Sequence, residues 1–477
     1  MAVQYLAANR FGLGRRFDDP AIADPKDWLG RQLGDYDPAP AAIAGLAGRA
    51  AIATAYVEYR EDRQAMRRAA AEPPMSEEEM GMDPELRRLS RSAIRRHYVE
   101  ATAARLAAAA ATPTPFPERL VHFWANHFAV SADKQTVIGF VGNYENEAIR
   151  PHIMGKFSDL LIAAVKHPAM LLYLDQAQSF GPDSVVATRV RNRGNRQSPG
   201  LNENLAREIL ELHTLGVRTG YTQADVTAFA KALTGLTVAG LGRGAGQRLM
   251  PADAEPGATV FIAPLHEPGA QTILGRRYDA AGAAQGEAIL RDLAVHPATA
   301  RHVATKLARH FTGDDPPTSL VDRLAANFLK SGGDLASLYR VLITSSEPWV
   351  AAAPTMFKSP WDWTVSMLRA LKVAALGERQ NVAAMFTQLG QPIWRPGSPA
   401  GYEDKVATWA GSAALMQRVE LASRIAGRIG DRADARELAP LVLADALTPE
   451  TGQAIARADS PGQGIAMLFA SPAFLRR

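Results

Sequence analysis

Residues 202–217 read NENLAREILELHTLGV, and the periodicity of this stretch indicates the type of fold. At about 100° per residue, Leu205, Ile209 and Leu212 fall on one face of a helix. The other face carries a charged stripe with its flanking residues, namely Glu203, Arg207, Glu211, Asn204 and Glu208. Such a helix packs its apolar side against a core, so the stretch predicts an amphipathic helix within a helical protein.

Helical signals recur along most of the chain. Aromatic residues make up only 7% of it, while alanine is abundant and favours helix because it loses no side-chain freedom there. Thr222 and Asp225 have capping-box spacing, which predicts a helix start. The glycine-rich segment 238–275 differs, and its short β-branched runs 259–262 and 272–274 predict a small β-hairpin. We therefore expect a mainly α, multi-helix globular array with a small β-hairpin insertion near residues 258–275.

The length of the chain bears on its domain organisation. Single hydrophobic cores stop growing at roughly 250 to 300 residues, and this chain has 477. We expect an N-terminal helical lobe over residues 1–280, ending in the glycine-rich insertion, and a C-terminal helical lobe over residues 281–477. One continuous domain is the alternative.

Composition excludes several classes of site and partner. The chain has no cysteine, so disulfides, thiolate metal sites and cysteine nucleophiles are excluded. The net charge of +4 is modest and basic residues are interspersed with acids, so nucleic acid is not an expected partner. No segment offers about 18 uncharged apolar residues, so no membrane span is expected. Residues 1–15 lack an apolar leader core, which favours a cytoplasmic location.

The charged stripe of residues 203–211 has two interpretations. Glu203, Arg207 and Glu211 at four-residue spacing are typical of a surface salt-bridge ladder. Alternatively, these carboxylates and Glu208 point into a cleft, where they act as general acid and base or hold a divalent cation. In that hypothesis Arg207 orients the carboxylates or binds an oxyanion.

A second helical segment, ERLVHFWANHFAVS from residue 118, supplies a candidate base. His127 lies between aromatic residues and beside Asn126, which fits a buried base or a structural histidine. His122 and His127 are five residues apart, poor spacing for a shared metal ion on one helix. A cleft enzyme would use His127, Glu203, Arg207, Glu208 and Glu211 as catalytic residues.

Substrate contacts are expected from a long polar loop and its surroundings. Residues 179–200 are rich in Arg, Asn, Gly and Pro, and loops of this length are usually functional or disordered. We expect an anionic or sugar-like substrate to be held by Asn126, Arg191, Arg193, Asn202 and Asn204.

A polar stripe follows a third helix, HPATARHVATKLARHF over residues 296–311. His302, Lys306 and His310 lie one turn apart on a single face. The stripe fits an anion-contacting surface, or the exposed flank of a helix that is buried through Val303 and Leu307.

Several stretches together resemble the bacterial family of unknown function DUF1800. They are NRFGLG from residue 9, FWANHFAVS from 123, HPAMLLYLD from 167, NENLAREILELHTLGV from 202, GYTQADV from 220, ALTGLT from 232, HPATARHVATKLARHF from 296 and SGGDLASLYR from 331. The chain departs from the family pattern at Ala125, where a second His is common, and at Leu236, where Trp is common. If that His were a metal ligand, this member would be impaired.

The resemblance implies a setting more than an activity. Genes of such proteins often lie beside those of a secreted family, DUF1501, that resembles alkaline phosphatases and sulfatases. This implies a DUF1501-type partner and a periplasmic or exported location, whereas the lack of an apolar leader core in residues 1–15 favours the cytoplasm. Residues 171–181 and 211–216 also bear a faint similarity to animal-type haem peroxidases.

Three hypotheses about function remain open. The first is a hydrolase-type or metal-dependent enzyme acting on an anionic or saccharide-like substrate in the cell envelope, with a divalent metal as its cofactor. The second is a non-catalytic partner or chaperone of a secreted phosphatase- or sulfatase-like protein. The third is a haem peroxidase-like oxidoreductase. Burial separates the first two, because an enzyme needs its carboxylates in a pocket beside His127, whereas an interface would leave them on a wet face.

Overall fold

The computed structural model describes residues 3–69, 84–192, 200–242, 245–350, 356–373 and 381–477. The chain is 62% helical with two small antiparallel sheets, so the predicted mainly α fold is confirmed. In the described residues, no helix is long and apolar enough to cross a membrane.

The described residues of the first half of the chain form a series of helices. They are α1 (Val3–Tyr5), α2 (Pro25–Gly34), α3 (Ala41–Ala44), α4 (Arg49–Ala69), α5 (Pro84–Ala111), α6 (Pro115–His127), α7 (Val141–Tyr144), α8 (Phe157–Lys166), α9 (Pro168–Tyr173), α10 (Val185–Asn192), α11 (Asn204–Glu208), α12 (Gln223–Leu233) and α13 (Ala245–Arg248). Helices α3, α4 and α7 all contact α5.

The second half of the chain adds another set of helices. They are α14 (Ala283–Ala294), α15 (Pro297–Thr312), α16 (Thr318–Lys330), α17 (Leu335–Thr344), α18 (Pro360–Ala370), α19 (Val382–Gln388), α20 (Val406–Trp409), α21 (Ser412–Ile429), α22 (Ala435–Leu443), α23 (Pro449–Ala456) and α24 (Pro461–Ala470). Helices α18 and α19 pack against α5, and α14 packs against α8. One continuous hydrophobic cluster runs from Tyr5 to Phe474 and draws on both predicted lobes, whose boundary at residue 280 stays a prediction.

In the described residues, four short strands lie in the glycine-rich segment or directly beside it. Strand β1 (Leu236–Val238) pairs with β2 (Thr259–Phe261), and β3 (Gln271–Ile273) pairs with β4 (Arg276–Tyr278), both antiparallel. The second pair is a hairpin whose two turn residues, Leu274 and Gly275, have positive φ angles of 51° and 76°, as a tight hairpin turn requires. The predicted small hairpin is thus present. The two β-branched runs are strands, but each pairs with another segment.

The stretch of residues 202–217 contains two kinds of helix. It is α-helical over Asn204–Glu208 and continues as a π-helical turn over Ile209–His213. The capping box predicted at the start of α12 is present, with the Thr222 side chain accepting from Asp225 N and the Asp225 side chain from Thr222 N. The π turn was not predicted, and it rotates His213 into the core.

Candidate ligand-binding cavity

A cavity of about 280 Å³ lies between α6, α15, the start of α18 and the loop that precedes α20. Helix α6 contributes the face that carries Arg119, His122 and Asn126. Its start is held by Gln32, whose side-chain oxygen accepts from Phe116 N at 2.9 Å. Its buried Trp124 Nε1 donates to the hydroxyl of Tyr339 at 2.6 Å. The cavity wall on this side is therefore rigidly anchored in the core.

The opposite wall is the proline- and glycine-rich loop 390–405. Asn126 holds this loop with both ends of its amide: Nδ2 donates to Tyr402 O at 2.8 Å, and Oδ1 accepts from Tyr402 N at 2.7 Å. Gly401 next to it has a φ of 81°, and a Cβ there would lie 2.4 Å from Asn126 O. Only glycine permits this approach. Asn126, predicted to contact substrate, thus shapes the cavity wall.

One buried ionic network lies behind the cavity. Arg150 forms a two-pronged pair with Glu118 at 2.5 and 2.8 Å, and Arg105 pairs with Glu145 at 2.8 Å. Burial alone would raise the pKa of Glu118, but Arg150 holds it well below its usual range. Glu145 also accepts from Trp394 Nε1 at 2.9 Å, which fixes that loop residue.

An aromatic box encloses the Arg105 side chain at the cavity edge. Its guanidinium lies 4.5 Å from the ring centre of Trp361 and 5.0 Å from that of Trp394. The indole of Trp361 donates to His122 Nδ1 at 3.1 Å. Cation and rings stabilise each other in this arrangement, so the box is a fixed part of the wall.

A second network connects residues that are far apart in the sequence. Arg119 reaches both carboxylate oxygens of Asp362 at 3.2 Å. Arg477 Nε lies 3.2 Å from Asp362, and its Nη2 lies 3.2 Å from Asp404. Asp404 in turn forms a very short hydrogen bond with Nδ1 of His310. These charges neutralise one another within the network.

His310 has the geometry of a proton acceptor. Asp404 is held ionised because His310 and Arg477 lower its pKa against the effect of burial, so it accepts the Nδ1 proton. Burial lowers the pKa of His310, which favours the neutral ring. The unprotonated Nε2 is buried and has no hydrogen-bond partner among the described residues. A neutral imidazole with one fixed nitrogen and one vacant lone pair can act as a general base.

Two cations on the same helix have no carboxylate partner in the described part of the chain. Lys306 lines the cavity, is partly buried and forms neither a hydrogen bond nor an ion pair there. Arg309 donates through Nε to the backbone oxygen of Asp314 at 3.1 Å. The pKa of Lys306 is lowered to about 8, mainly by burial, with Asp404 opposing the decrease and Arg309 adding to it.

Three more histidines meet at the π turn beside the cavity. His127 Nε2 lies 3.1 Å from the carbonyl of His213, and His302 Nε2 lies 2.9 Å from that of Leu212. The Thr214 hydroxyl and Gly216 N reach the earlier carbonyls of the turn, at 2.6 and 3.2 Å. The last carbonyl groups of a helix have no partner within the helix, so they accept hydrogen bonds from these side chains and from Gly216 N.

All three of these rings are neutral at pH 7. Burial is the largest cause that lowers the pKa of His127, His213 and His302, and the Lys306 ammonium is the next. His127 lines the cavity, and its buried Nδ1 lacks a partner among the described residues. Its predicted catalytic role stays a prediction.

The predicted acidic stripe lies elsewhere. Arg207 pairs with Glu203 at 3.3 Å and with Glu211 at 3.7 Å, and the three side chains are 37%, 28% and 27% exposed. This arrangement is the ladder that the sequence analysis gave as one interpretation. None of these residues lines the cavity, nor does Glu208, whose pKa burial and Glu211 raise.

The predicted substrate contacts are also dispersed. Exposed Arg191 lies 3.5 Å from Asp183, and Arg193 is outside the described residues. Asn202 N donates to Ser179, and Asn202 Oδ1 accepts from Asn204 N at 2.9 Å. Among the predicted site residues that the structure describes, only Asn126 and His127 line the cavity.

Sequence reasoning missed most of the cavity. It singled out the stripe His302, Lys306 and His310 from helical spacing but did not make it part of the site. Asp362, Asp404 and Arg477 carry no local signal, because their roles depend on contacts between distant segments. Ala125, where the family pattern often has His, also lines the cavity.

No group of three or more His, Asp or Glu side chains that could hold a metal ion occurs in residues 3–69, 84–192, 200–242, 245–350, 356–373 and 381–477. The divalent metal stays a prediction.

Fold and site together define a mainly helical protein with a cation-rich internal cavity. The chain belongs to the DUF1800 family: the model of that family, described as a protein of unknown function, matches residues 6–476. The family resemblance seen in the sequence is thereby confirmed. No curated protein and no solved structure gave a significant match.

Proposed function

We propose that this protein is a hydrolase-type enzyme that binds an anionic or saccharide-like small molecule in the cavity. The observation that carries the proposal is the charge of the cavity wall. Six cationic side chains line it against three carboxylates: Arg105, Arg119, Lys306, Arg309, Lys405 and Arg477 against Asp362, Glu403 and Asp404. The lining histidines are neutral, so the wall carries an excess of positive charge that an anion would balance.

The excess charge is concentrated on α15. Arg119 and Arg477 are neutralised by Asp362 and Asp404. Lys306 and Arg309 are three residues apart on one helical face and have no carboxylate to pair with in the described part of the chain. Arg309 presents a planar fork of donors, which suits a carboxylate, phosphate or sulfate group.

His310 supplies the chemistry in this proposal. With Nδ1 fixed by Asp404, Nε2 would take a proton from a water molecule or a substrate hydroxyl, and the resulting imidazolium would be stabilised by the same carboxylate. The Arg309 guanidinium would hold the anionic group and stabilise negative charge that develops during the reaction. Aromatic side chains of the wall, among them Trp409 and Phe357, offer flat surfaces for a sugar or other ring.

The binding step is tested with inorganic phosphate and sulfate as probes by calorimetry. We expect Arg309→Gln to weaken phosphate binding by about tenfold, or 1.4 kcal/mol. Arg301→Gln is the matched control, because Arg301 lies on the same helix but is exposed and pairs with Asp322 outside the cavity. Equal affinities in the wild type and both variants would refute the anion site.

The catalytic step is tested with p-nitrophenyl phosphate, sulfate and glycosides. His310→Asn retains a donor for Asp404 but removes Nε2, whereas His310→Gln retains a group near the Nε2 position. Hydrolysis that His310→Asn abolishes, with phosphate binding intact, would support His310 as the base. Hydrolysis that survives in His310→Asn would exclude that role.

A partner or chaperone role for a secreted DUF1501-type protein is the second candidate. It is favoured by the partly exposed ladder of Glu203, Arg207 and Glu211, which is the feature expected of an interface. An envelope location belongs to both candidates. Co-purification with a co-expressed DUF1501-type protein, lost in a Glu203→Lys and Glu211→Lys double variant, would support this role.

A further inference from the structure

Lys306 occupies a position that anion binding alone does not explain. His302 lies one turn before it and His310 one turn after it on α15. One ring nitrogen of each is held by a hydrogen bond: Nε2 of His302 by Leu212 O, and Nδ1 of His310 by Asp404. Lys306 between them has no hydrogen bond or ion pair within the described residues. A long flexible amine therefore lines the cavity without a hydrogen bond or ion pair to the described chain.

We propose that Lys306 is a nucleophile that forms an imine with an aldehyde or ketone group of an anionic substrate. The inference goes beyond the hydrolase-type reaction and rests only on the anion site of the proposed function, since Arg309, one turn away on the same face, would hold the anionic group while Lys306 meets the carbonyl. The substrate class is then a small carbonyl compound bearing a carboxylate or phosphate, such as a 2-oxo acid.

The step needs no oxidant and no cofactor. The lone pair of the Lys306 amine forms a bond to the carbonyl carbon while the C=O π pair moves to the oxygen, and a proton transfer from nitrogen to oxygen gives a carbinolamine. The oxygen then takes up a proton, the carbon–oxygen bond breaks to release water, and the nitrogen lone pair completes the C=N bond. The nitrogen finally gives its remaining proton to a neighbouring base, which balances the proton taken up by the oxygen. Amine plus carbonyl compound thus gives imine plus water, and hydrolysis reverses the step.

Groups that could move these protons are present. His310 Nε2 and His127 Nδ1 are both buried, both belong to residues lining the cavity, and neither has a hydrogen-bond partner in the described chain. The amine itself is partly neutral near physiological pH: burial lowers its pKa to about 8, so about a tenth is unprotonated at pH 7. A lysine with the usual pKa near 10.4 would be almost wholly protonated.

Two other lysines show what distinguishes Lys306. Lys358 is wholly buried, donates to Asn9 Oδ1 at 2.8 Å and lies over the ring of Phe474, so no substrate could reach it. Lys405 lines the same cavity, but it is exposed and lies 3.7 Å from Glu403. Lys306 combines access from the cavity with the lack of a partner.

The test is reductive trapping with glyoxylate, a small anionic aldehyde, on the full chain. Protein is incubated with glyoxylate and sodium cyanoborohydride, digested and mapped by mass spectrometry for carboxymethyl-lysine. We expect Lys306 to be labelled at least about tenfold faster than Lys405, with a rate that rises as the pH increases through about 8. Inorganic phosphate should slow the labelling of Lys306 and leave Lys405 unaffected.

Two variants separate this inference from the anion site. Lys306→Arg keeps a cation at this position, so this variant should still bind phosphate. It has no amine at position 306, so of Lys405 and Lys358 the faster labelling rate should then belong to Lys405. Arg309→Gln should label slowly with glyoxylate but normally with uncharged propionaldehyde. Phosphate binding with Lys306 labelled no faster than Lys405 would overturn the inference and leave the anion site standing. Rapid labelling of Lys306 that phosphate does not slow would instead refute the anion site.

Discussion

The ring of His213 is the buried group whose titration we expect to dominate acid stability. It lies at the end of the π turn with no exposed surface, and neither ring nitrogen has a hydrogen-bond partner among the described residues. Burial, together with the charges of Lys306 and His302, lowers its pKa to about 3. The perturbation is a decrease in pH from 7 to 4.

The sign follows from the proton count of each state. The unfolded chain binds a proton at His213 with a pKa of 6.5, whereas the folded protein stays neutral down to about pH 3. Between these values the unfolded state holds more protons, so stability is complete above pH 6.5 and falls as the pH decreases towards 3. At pH 4 the loss relative to pH 7 is about 3 kcal/mol for this one group.

The assay is urea denaturation at pH 7, 6, 5 and 4 on the wild type and on His213→Leu. The ring of His213 makes no hydrogen bond with the described residues, so replacing it with the apolar leucine removes none. The decrease in unfolding free energy from pH 7 to pH 4 should therefore be smaller in the variant by about 3 kcal/mol. His127 and His302 titrate in both proteins and largely cancel. His152→Leu, at a half-buried position, serves as control and should change the slope much less. Parallel curves for the wild type and His213→Leu would show that the ring is not a buried neutral group, contrary to this reasoning.

Two further substitutions test the cavity wall and the ladder. Gly401→Ala places a Cβ 2.4 Å from Asn126 O at a φ of 81°, so we expect a loss of about 2 kcal/mol in unfolding free energy and weaker phosphate binding. In Gly397→Ala, the control in the same loop, the new Cβ meets open space, so neither quantity should change. Similar effects at both glycines would contradict the geometry. Glu203→Gln should change the unfolding free energy by no more than about 0.5 kcal/mol, because its pair with Arg207 is partly exposed and screened by water; a loss of several kcal/mol in the same denaturation assay would mean that the ladder is a structural core element.

The sequence predicted those parts of the fold that depend on local signals. The capping box at Thr222 and the β-branched runs are read from a few neighbouring residues, and both lie where expected. The partners of the strands could not be read in this way, because β1 and β2 are separated by residues 239–258, which include the short helix α13. The π turn of residues 209–213 escaped prediction for a related reason. Its sequence fits a regular helix, and the imidazoles that donate hydrogen bonds to its carbonyl groups come from α6 and α15.

The site was predictable only where one helix carried it. Spacing alone placed Asn126 and His127 together on α6, and both line the cavity. The acidic stripe was equally regular, yet regular spacing says nothing about which way a helix is turned in the fold. Asp362, Asp404 and Arg477 come from three separate segments, so their convergence on Arg119 and His310 is a property of the tertiary structure.

The stripe on α15 gives the clearest argument that the cavity binds something. If it were a solvated flank, His302, Lys306 and His310 would all extend into water without fixed partners. If it were a purely structural network, all three would be held by other side chains or by backbone groups. Instead the two histidines are fixed at one nitrogen each, by Leu212 O and by Asp404, and the lysine between them is left unpaired in the described chain. That asymmetry leaves the Lys306 amine available to a ligand that enters the cavity, which is what the trapping experiment tests.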